Sequence, residues 1–475
     1  MVRPRSGRGG TCDTAGIPFP LKRIGDVSSE HDILWGAATA AYQIEGAVND
    51  DGRGASIWDT YSAIPGKTRD GDTGAVACDH YRRWEEDVAL MKDLGFTAYR
   101  FSVAWPRIIP TGVGQVNPKG IEFYRRLAGT LRDEGIEPCA TLYHWDAPQA
   151  IEDRGGWPSR ETAKAFETYA RVVFRELGDV VKHWATFNEP SSTSFVGHCN
   201  TTVAPGRREP PSAVAASDTI LLAHGLAVRA FREGGYDGQI GIVLDVMPVQ
   251  PATDSPADVA AAKRVELYMN HWWLRPVFAG QRPEPFSYWV ERCPSQLTDE
   301  DLKIVSTPLD FLGWNYYMRF VIEEDLDDLL YQARVVKVPG GTYAPRDWEV
   351  YPDGVVEFLG WLRDNYWDGP VYITENGCSC GEVPDENGYV QDDERMEYIR
   401  AHVTKALEAR RQGFDLRGYF VWSLMDNFEW RLGYSARMGI IRVDYPTQRR
   451  TVKKSGLWYA RFIRTGRLDT EGLQN

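Results

Sequence analysis

Two glutamates stand where catalytic groups are expected in a chain that alternates between strands and helices. Glu189 and Glu375 each end a short apolar run, in the segments TFNEP and ITENG. Cleavage of a glycosidic bond requires such a pair, because one carboxyl group protonates the departing oxygen while the other attacks the anomeric carbon or activates water. The acid must keep its proton near neutral pH, and burial beside a negative neighbour raises a carboxyl pKa in that direction. Taken singly, each glutamate also fits a structural role, as a helix cap or as an ion-pair partner of an arginine such as Arg100.

Further polar and aromatic side chains follow the other predicted strands. If the strands close into a β/α barrel, residues at their carboxyl ends line the catalytic mouth. Alone, His144 suits a structural histidine as well as a sugar ligand, and each tryptophan suits the core. Together they form a surface that stacks on a pyranose face and hydrogen-bonds its rim. The residues at these positions are Gln43, Glu45, Arg100, His144, Trp145, Asn188, Asn315, Tyr317, Asn376, Trp422, Asp426, Glu429 and Trp430.

The elements that must position these residues alternate along the chain. Short apolar, β-branched runs predict strands, and the stretches between them, with apolar residues every three or four positions, predict amphipathic helices. The predicted strands are Leu34–Ala38, Ala98–Val103, Glu137–Tyr143, His183–Phe187, Gly241–Val246, Phe311–Tyr316, Val371–Thr374 and Gly418–Ser423. The predicted helices are Tyr81–Leu94, Pro118–Glu134, Arg160–Leu177, Pro211–Gly234, Asp258–Trp273, Pro352–Asn365 and Asp393–Gln412.

Eight parallel strands covered by helices predict an α/β protein with a (β/α)8 barrel. An open doubly wound sheet is the alternative, but the Gly-rich phosphate-binding turn typical of that fold does not follow the first strand. No repeat of fixed period and no Pro/Ser-rich linker divides the chain, so we predict one catalytic domain over residues 17–467 with extended loops. Residues 1–16, which are rich in arginine and glycine, and residues 468–475 are predicted to be disordered tails.

The composition limits which binding partners and which cellular compartment are expected. The chain of 475 residues has a net charge of −13, which opposes binding to a nucleic-acid backbone. The sequence has no run of about 18 apolar residues, which a membrane span would require. Residues 1–16 lack the apolar core of a signal peptide. Seven scattered cysteines suit reduced thiols better than a disulfide framework. We therefore expect a cytoplasmic protein that binds a small molecule and neither nucleic acid nor a membrane. Its oligomeric state stays open.

Seven segments occur in an order and spacing that resemble a known family. They are ATAAYQIEG (38–46), YRFSVAWPRI (99–108), TLYHWDAPQ (141–149), TFNEP (186–190), NYY (315–317), ITENG (373–377) and WSLMDNFEW (422–430). On these motifs the chain resembles the β-glucosidases of glycoside hydrolase family 1, over about residues 19 to 465. The resemblance implies a barrel fold and a retaining double displacement. It also implies hydrolysis of terminal β-D-glucosyl residues from O-glycosides, with galactosyl or fucosyl residues as further candidates.

The resemblance also implies roles for individual residues. Glu189 matches the general acid/base and Glu375 the nucleophile, while Asn188 matches the residue that holds the 2-hydroxyl of the sugar. Arg100 and Tyr317 match groups that hydrogen-bond the nucleophile and keep it ionised. The candidate ligands of the glycone are Gln43, His144, Glu429 and Trp430, with Trp422 as the platform beneath the ring, Asn315 in the same polar shell and Trp145 as a further candidate.

The match also bears on the choice of substrate. An ionised Glu429 beside C4 and C6 of the sugar would repel a 6-phosphate, and an acid at Glu189 favours an O-glycoside over a thioglycoside. Three positions depart from the family's usual pattern. Ser191 stands where tryptophan is usual, Ala147 where leucine is usual, and Met438 where an aromatic residue is common. Because the segment after Ser191 commonly borders the aglycone, the nature of the leaving group stays open.

Three other hypotheses fit parts of the sequence. In transglycosylation, a sugar or an alcohol intercepts the same glycosyl-enzyme in place of water, and the sequence does not separate this from hydrolysis. A catalytically silent sugar-binding protein would be free to lose the two carboxylates and their supporting residues, all of which are present. A metalloenzyme built on His144, Cys378 and Cys380 lacks a full ligand set, so we expect no metal and no cofactor.

Overall fold

The fold is a closed barrel of eight parallel strands, seen in a computed structural model that describes residues 33–328 and 330–470. The barrel strands are β1 (Leu34–Ala38), β2 (Ala98–Ser102), β3 (Glu137–Tyr143), β4 (His183–Asn188), β5 (Gln239–Leu244), β6 (Phe311–Asn315), β7 (Val371–Asn376) and β8 (Leu416–Trp422). Each strand pairs with its neighbours in sequence, and β8 pairs with β1 to close the barrel. The predicted (β/α)8 barrel is confirmed, and the open-sheet alternative is wrong.

Helices connect the strands around the outside of the barrel. The longer helices are His80–Leu94, Pro118–Asp133, Glu161–Leu177, Pro210–Glu233, Pro256–Glu266, Gly354–Asn365, Asp393–Arg411 and Lys454–Thr465. The shorter ones are Ala41–Ile44, Ile57–Ser62, Trp105–Ile108, Gln149–Glu152, Trp272–Leu274, Tyr288–Arg292 and Asp299–Val305, with π-helical segments at Ser192–Asn200, Leu267–His271 and Arg275–Ala279. The predicted helix Asp258–Trp273 is therefore a series of shorter segments, and the sequence patterns missed the helix Lys454–Thr465.

Local sequence explains where individual helices begin and end. The helix Pro118–Asp133 begins where the Asn117 side chain accepts a hydrogen bond from the backbone N–H of Lys119 at 3.3 Å. Proline suits its first position, where a backbone N–H would have no partner within the helix. The helix His80–Leu94 ends at Gly95, whose φ of 77° lies in the left-handed region that favours glycine.

The helix Pro210–Glu233 is apolar over most of its length. Among the described residues it is the one helix long and apolar enough to cross a membrane, and 83% of its most apolar window is buried inside the fold. It packs on the helix Glu161–Leu177 and on strands β4 and β5. A core helix of a large barrel has the same composition, because its neighbours cover it on most sides.

Side chains on the barrel strands alternate between two apolar clusters. A large cluster lies between the barrel and the helices, and a smaller one lies inside the barrel. In β8, Tyr419 and Val421 belong to the outer cluster, whereas Phe420 and Trp422 belong to the inner one. This alternation follows from the period of two in a strand, and it directs Trp422 into the mouth of the barrel.

The two strands that carry the predicted catalytic glutamates break this alternation. In β7, Tyr372 lies inside and Ile373 outside, so simple alternation would turn Glu375 outward. The register shifts between Ile373 and Glu375, however, and Glu375 points inward to Arg100. Strand β4 has a corresponding shift, between Ala185 and Asn188. Irregularities of this kind redirect side chains beside active sites.

Among the described residues, three small sheets lie outside the barrel strands. One sheet joins Val249–Pro251, Phe320–Glu324 and Ala333–Val335, and hairpins pair Tyr343–Ala344 with Trp348–Glu349 and Ile441–Asp444 with Arg449–Val452. The predicted N-terminal tail, the residues before position 33 and residues 471–475 lie outside the described part of the chain.

Candidate active site

Glu375, near the end of β7, is fixed by two hydrogen-bond donors. Arg100 donates from Nη1 to Oε1 at 2.7 Å, and the Tyr317 hydroxyl donates to Oε2 at 2.6 Å. Burial raises the pKa of Glu375, while Arg100 and Tyr317 oppose that rise because they stabilise the charged form. The opposition is incomplete, and the expectation that the two residues keep Glu375 ionised stays a prediction. Their geometry nevertheless fixes both carboxyl oxygens.

Glu189, directly after β4, lies in a different environment. Asn315 donates to its Oε1 at 2.7 Å, and the Ser192 hydroxyl lies 3.4 Å from its Oε2. Burial and the negative charges of Asp245 and Glu375 raise the pKa of Glu189 well above its usual range. The backbone φ of 44° places Glu189 in the left-handed region, which is strained for a residue with a side chain. Of the two glutamates, this one is arranged to keep a proton.

Asn188 connects the two glutamates to a histidine. Its Oδ1 accepts hydrogen bonds from Arg100 at 2.7 Å and from Asn315 at 3.0 Å, and its Nδ2 donates to Nε2 of His144 at 3.0 Å. Burial and the charge of Arg100 lower the pKa of His144 well below its usual value, so the ring is neutral. With Nε2 accepting, the ring proton belongs on Nδ1.

Two buried polar atoms of the pocket have no hydrogen-bond partner within the described part of the chain. They are Nδ1 of His144 and Oε1 of Gln43. The other end of Gln43 is engaged, since Nε2 donates to Asn427 Oδ1 at 3.0 Å and to the Phe428 carbonyl at 2.9 Å, and lies 3.4 Å from Glu429 Oε2. Buried polar groups are nearly always paired. A donor and an acceptor left open here suit the hydroxyl groups of a sugar.

An aromatic wall completes the pocket. Trp430 packs against Trp145 with ring centroids 4.7 Å apart and against Trp58 at 4.5 Å. His144 stacks on Trp422 with centroids 5.7 Å apart and planes 21° apart. The Trp145 indole N–H donates to the Asn188 carbonyl at 3.0 Å, which ties the wall to the polar network. Such a surface accepts the apolar face of a pyranose.

The structure brings the predicted site residues together at the carboxyl ends of the strands. This group consists of Gln43, Arg100, His144, Trp145, Asn188, Glu189, Asn315, Tyr317, Glu375, Trp422, Glu429 and Trp430. Two other acidic strand-end residues are engaged in structural contacts. Glu45 accepts from Arg107 at 2.9 Å and from Tyr124 at 2.5 Å, and Asp426 from Lys453 at 2.7 Å.

Sequence patterns missed two residues that act on this group, Asp245 through its charge and Arg346 through a direct contact. The Ser191 hydroxyl donates to both oxygens of Asp245, at 2.8 and 2.7 Å, and Asp245 follows β5 directly. The predicted strand Gly241–Val246 ran too far, which hid Asp245 inside the strand. Polar residues directly after a barrel strand are candidates for the site, so Asp245 would have been one if the strand had been predicted to end at Leu244. Arg346, which donates to Glu429 at 3.2 Å, lies in a loop with no periodic signal.

No group of three or more His, Cys, Asp or Glu side chains in residues 33–328 and 330–470 is arranged to hold a metal ion. The thiols of Cys378 and Cys380 lie 3.8 Å apart, in the loop that follows β7. Their geometry gives the metalloenzyme hypothesis no support, since a zinc site requires about four ligands.

Buried carboxylates at two strand ends, inside an aromatic pocket with open hydrogen-bonding groups, define a glycoside hydrolase on a (β/α)8 barrel. Comparison with known proteins agrees. The profile of glycosyl hydrolase family 1 matches residues 28–467. The chain therefore belongs to glycosyl hydrolase family 1, a family of retaining glycosidases, as its motifs predict.

Two relatives and one solved structure illustrate this membership. Beta-glucosidase A of Thermotoga maritima is 43% identical over 444 residues, which cover 92% of this chain and 98% of that protein. The bifunctional beta-D-glucosidase/beta-D-fucosidase of Bifidobacterium breve is 41% identical, over 90% of this chain and 97% of its own length. The solved structure of the Thermotoga maritima beta-glucosidase in complex with glucoimidazole superposes with a TM-score of 0.88 at 42% identity, covering 92% of this chain and 98% of that one.

Replacement of Asp245 by asparagine is expected to move the alkaline limb of the kcat/KM profile to lower pH. The negative charge of Asp245 raises the pKa of Glu189, so its removal lets Glu189 lose its proton at lower pH. The other charged groups that act on Glu189, Glu375 and Arg100, remain in place. The measurement is kcat/KM for an aryl β-glucoside against pH, with exposed Asp254→Asn as the control. An alkaline limb at the wild-type pH would contradict this role of Asp245.

Replacement of Asp146 by asparagine is expected to stabilise the fold increasingly as pH rises from about 4 to about 8. Burial raises the pKa of Asp146 to about 8, and neither carboxyl oxygen has a hydrogen-bond partner in the part of the chain that the structure describes. Between these pH values the folded protein holds a proton that the unfolded chain releases, so wild-type stability falls as pH rises. The check is Tm against pH for both proteins. A difference in Tm that stays constant across this range would show that Asp146 is ionised in the fold.

Proposed function

We propose that this enzyme hydrolyses β-D-glucosides, with Glu375 as nucleophile and Glu189 as general acid/base. Glu375 attacks the anomeric carbon while Glu189 gives its proton to the glycosidic oxygen, which releases the aglycone and leaves a glycosyl ester on Glu375. Glu189, now ionised, then takes a proton from water as that water attacks the anomeric carbon and frees Glu375. Two inversions give net retention.

The observation that carries this assignment is the unequal environment of the two carboxyl groups. Arg100 and Tyr317 each donate to one oxygen of Glu375, which favours its charged form. Glu189 has an amide donor from Asn315 and lies under the repulsion of Asp245 and Glu375, which favours its protonated form. Pairs of carboxyl groups whose surroundings separate their pKa values mark the acid and the nucleophile.

The β-glucosidase names of the relatives and the open hydrogen-bonding groups of Gln43 and His144 support a neutral hexose as the glycone. The test is kcat/KM for p-nitrophenyl α- and β-glucosides. Of the two glucosides, we expect turnover of the β-anomer alone. We expect the β-galactoside and the β-fucoside to be slower substrates. Turnover of the α-glucoside without the β-glucoside would contradict the proposal.

We also propose that the enzyme works in a reducing compartment such as the cytoplasm. The support is that all six cysteines in the described residues are free thiols. Fractionation of the source cells, with thiol titration of the protein recovered from each fraction, is the test. Recovery from an oxidising compartment with its thiols paired would contradict this location.

A further inference from the structure

Arg346 places a cation beside the predicted ligands of the glycone. It lies in the turn between the paired segments Tyr343–Ala344 and Trp348–Glu349. Its Nη1 donates to Oε1 of Glu429 at 3.2 Å and lies 4.0 Å from Sδ of Met438. The guanidinium carbon lies 4.4 Å from the centroid of the Trp348 ring, a cation–π distance. Arg346 therefore has three partners on two different loops.

The same contacts connect Arg346 to the catalytic centre. Trp348 packs on Tyr317 with centroids 5.0 Å apart, and Tyr317 donates to Glu375 at 2.6 Å. Arg346 and Asp347 have φ values of 77° and 60°, both in the left-handed region. Two consecutive non-glycine residues in the left-handed region cost free energy of folding. Such strained residues are common where a side chain clamps a ligand.

The pair formed by Arg346 and Glu429 offers a donor and an acceptor side by side. The side chain of Glu429 is 8% exposed and that of Arg346 29% exposed, so the pair is partly accessible rather than sealed in the core. A hydroxyl group can satisfy both partners at once, because it accepts from a guanidinium and donates to a carboxylate. Met438, in the position where an aromatic residue is common in the family, lies directly against the guanidinium.

We propose that Arg346 is a specificity-determining residue that recognises, together with Glu429, the 6-hydroxyl of the glycone. This inference rests on the proposed function and on the match of Glu429 to a residue beside C4 and C6 of the sugar. Arg346 selects glycones that bear the hydroxymethyl group over 6-deoxy sugars and pentoses. It also offsets the charge of Glu429, so the repulsion of a 6-phosphate is weaker than Glu429 alone would imply.

The test compares two pairs of p-nitrophenyl β-glycosides in wild type, Arg346→Met and Arg346→Lys. Glucoside and xyloside differ by the hydroxymethyl group, and galactoside and fucoside differ by the 6-hydroxyl alone. Arg346→Met keeps an unbranched, flexible side chain but removes the guanidinium donors. We expect kcat/KM to fall about tenfold for glucoside and galactoside, as for loss of a charge-assisted hydrogen bond, and less than about threefold for xyloside and fucoside. Arg346→Lys is expected to lie between wild type and Arg346→Met.

Arg334→Met is the matched control, since Arg334 is an exposed arginine that pairs with Glu323 on a neighbouring strand. It is expected to change neither the glucoside/xyloside ratio of kcat/KM nor the galactoside/fucoside ratio. An equal fall for all four substrates in Arg346→Met would mean that Arg346 only holds Glu429 in place, and it would overturn the inference. Wild-type kcat/KM for all four substrates in Arg346→Met would overturn it as well. If wild type turned over none of the four, the proposed function itself would be wrong. If wild type turns over the glucoside but Arg346→Met leaves the glucoside/xyloside and galactoside/fucoside ratios unchanged, only the proposed role of Arg346 is refuted, and the proposed function stands.

Discussion

Glu375→Gly is expected to lose turnover of p-nitrophenyl β-glucoside by about six orders of magnitude in kcat, as removal of a nucleophile does in another covalent mechanism. Arg100 and Tyr317 each donate to one oxygen of Glu375, which fixes the carboxylate near the end of β7. Azide enters the space of the lost side chain and attacks the anomeric carbon from the same face. The expected product is α-glucosyl azide, detected by NMR.

The control for this variant is Glu386→Gly, an exposed glutamate in the loop that follows the same strand. It is expected to keep wild-type activity and to form no azide adduct. If Glu375→Gly with azide gave β-glucosyl azide instead, the roles of the two glutamates would be exchanged. Appreciable activity without azide would remove Glu375 from the covalent step.

Glu189→Gln is expected to slow hydrolysis according to how much the leaving group needs a proton. With cellobiose, kcat/KM is expected to fall by about 10²- to 10⁴-fold, the range that general acid catalysis contributes. With 2,4-dinitrophenyl β-glucoside, the first step needs no acid, so a stable phenolate leaves and the glycosyl-enzyme accumulates. A burst of dinitrophenolate followed by a slow steady state is the expected observation, because the second step still lacks its base.

Exposed Glu209→Gln serves as the control for this experiment and is expected to behave as wild type with both substrates. A loss of equal size for cellobiose and for the dinitrophenyl glucoside would contradict the assignment of Glu189. It would indicate that the residue supports the structure of the pocket rather than transferring a proton.

The barrel was predictable from sequence because each strand carries its own local signal. Apolar β-branched runs between amphipathic segments located all eight strands, and the strand Glu137–Tyr143 has the predicted bounds. The predicted helix Asp258–Trp273 is α-helical as far as Glu266 and was wrong beyond it, because apolar periodicity does not distinguish an α-helix from one that continues into π-helical segments. The helix Lys454–Thr465 was overlooked, although it buries Trp458, Tyr459 and Phe462.

The site was predictable as far as it follows strand ends. Glu189 and Glu375 stand at the ends of apolar runs in the sequence, and these runs end at the carboxyl ends of barrel strands, where the site lies. Asp245 was hidden by an error of two residues in the end of β5. Arg346 had no signal at all, because its contact with Glu429 joins residues 83 positions apart through two irregular loops.

Which glutamate keeps the proton could be assigned from sequence only through family resemblance. The physical difference arises from neighbours that converge in space, with Asp245 acting on Glu189 and Arg100 on Glu375. The register shift that turns Glu375 inward is likewise invisible to a pattern of period two. Strand alternation alone would have turned Glu375 out of the barrel.

Trapping of the glycosyl-enzyme tests the central claim most directly. The wild-type enzyme is incubated with 2-deoxy-2-fluoro-β-glucosyl fluoride, digested with a protease and mapped by mass spectrometry. The mechanism proposed above predicts one fluoroglucosyl group per chain, esterified to Glu375 in the peptide that contains ITENG, with activity lost in step with labelling. Labelling of Glu189, Asp245 or Glu429 in its place, or inactivation without a covalent adduct, would contradict it.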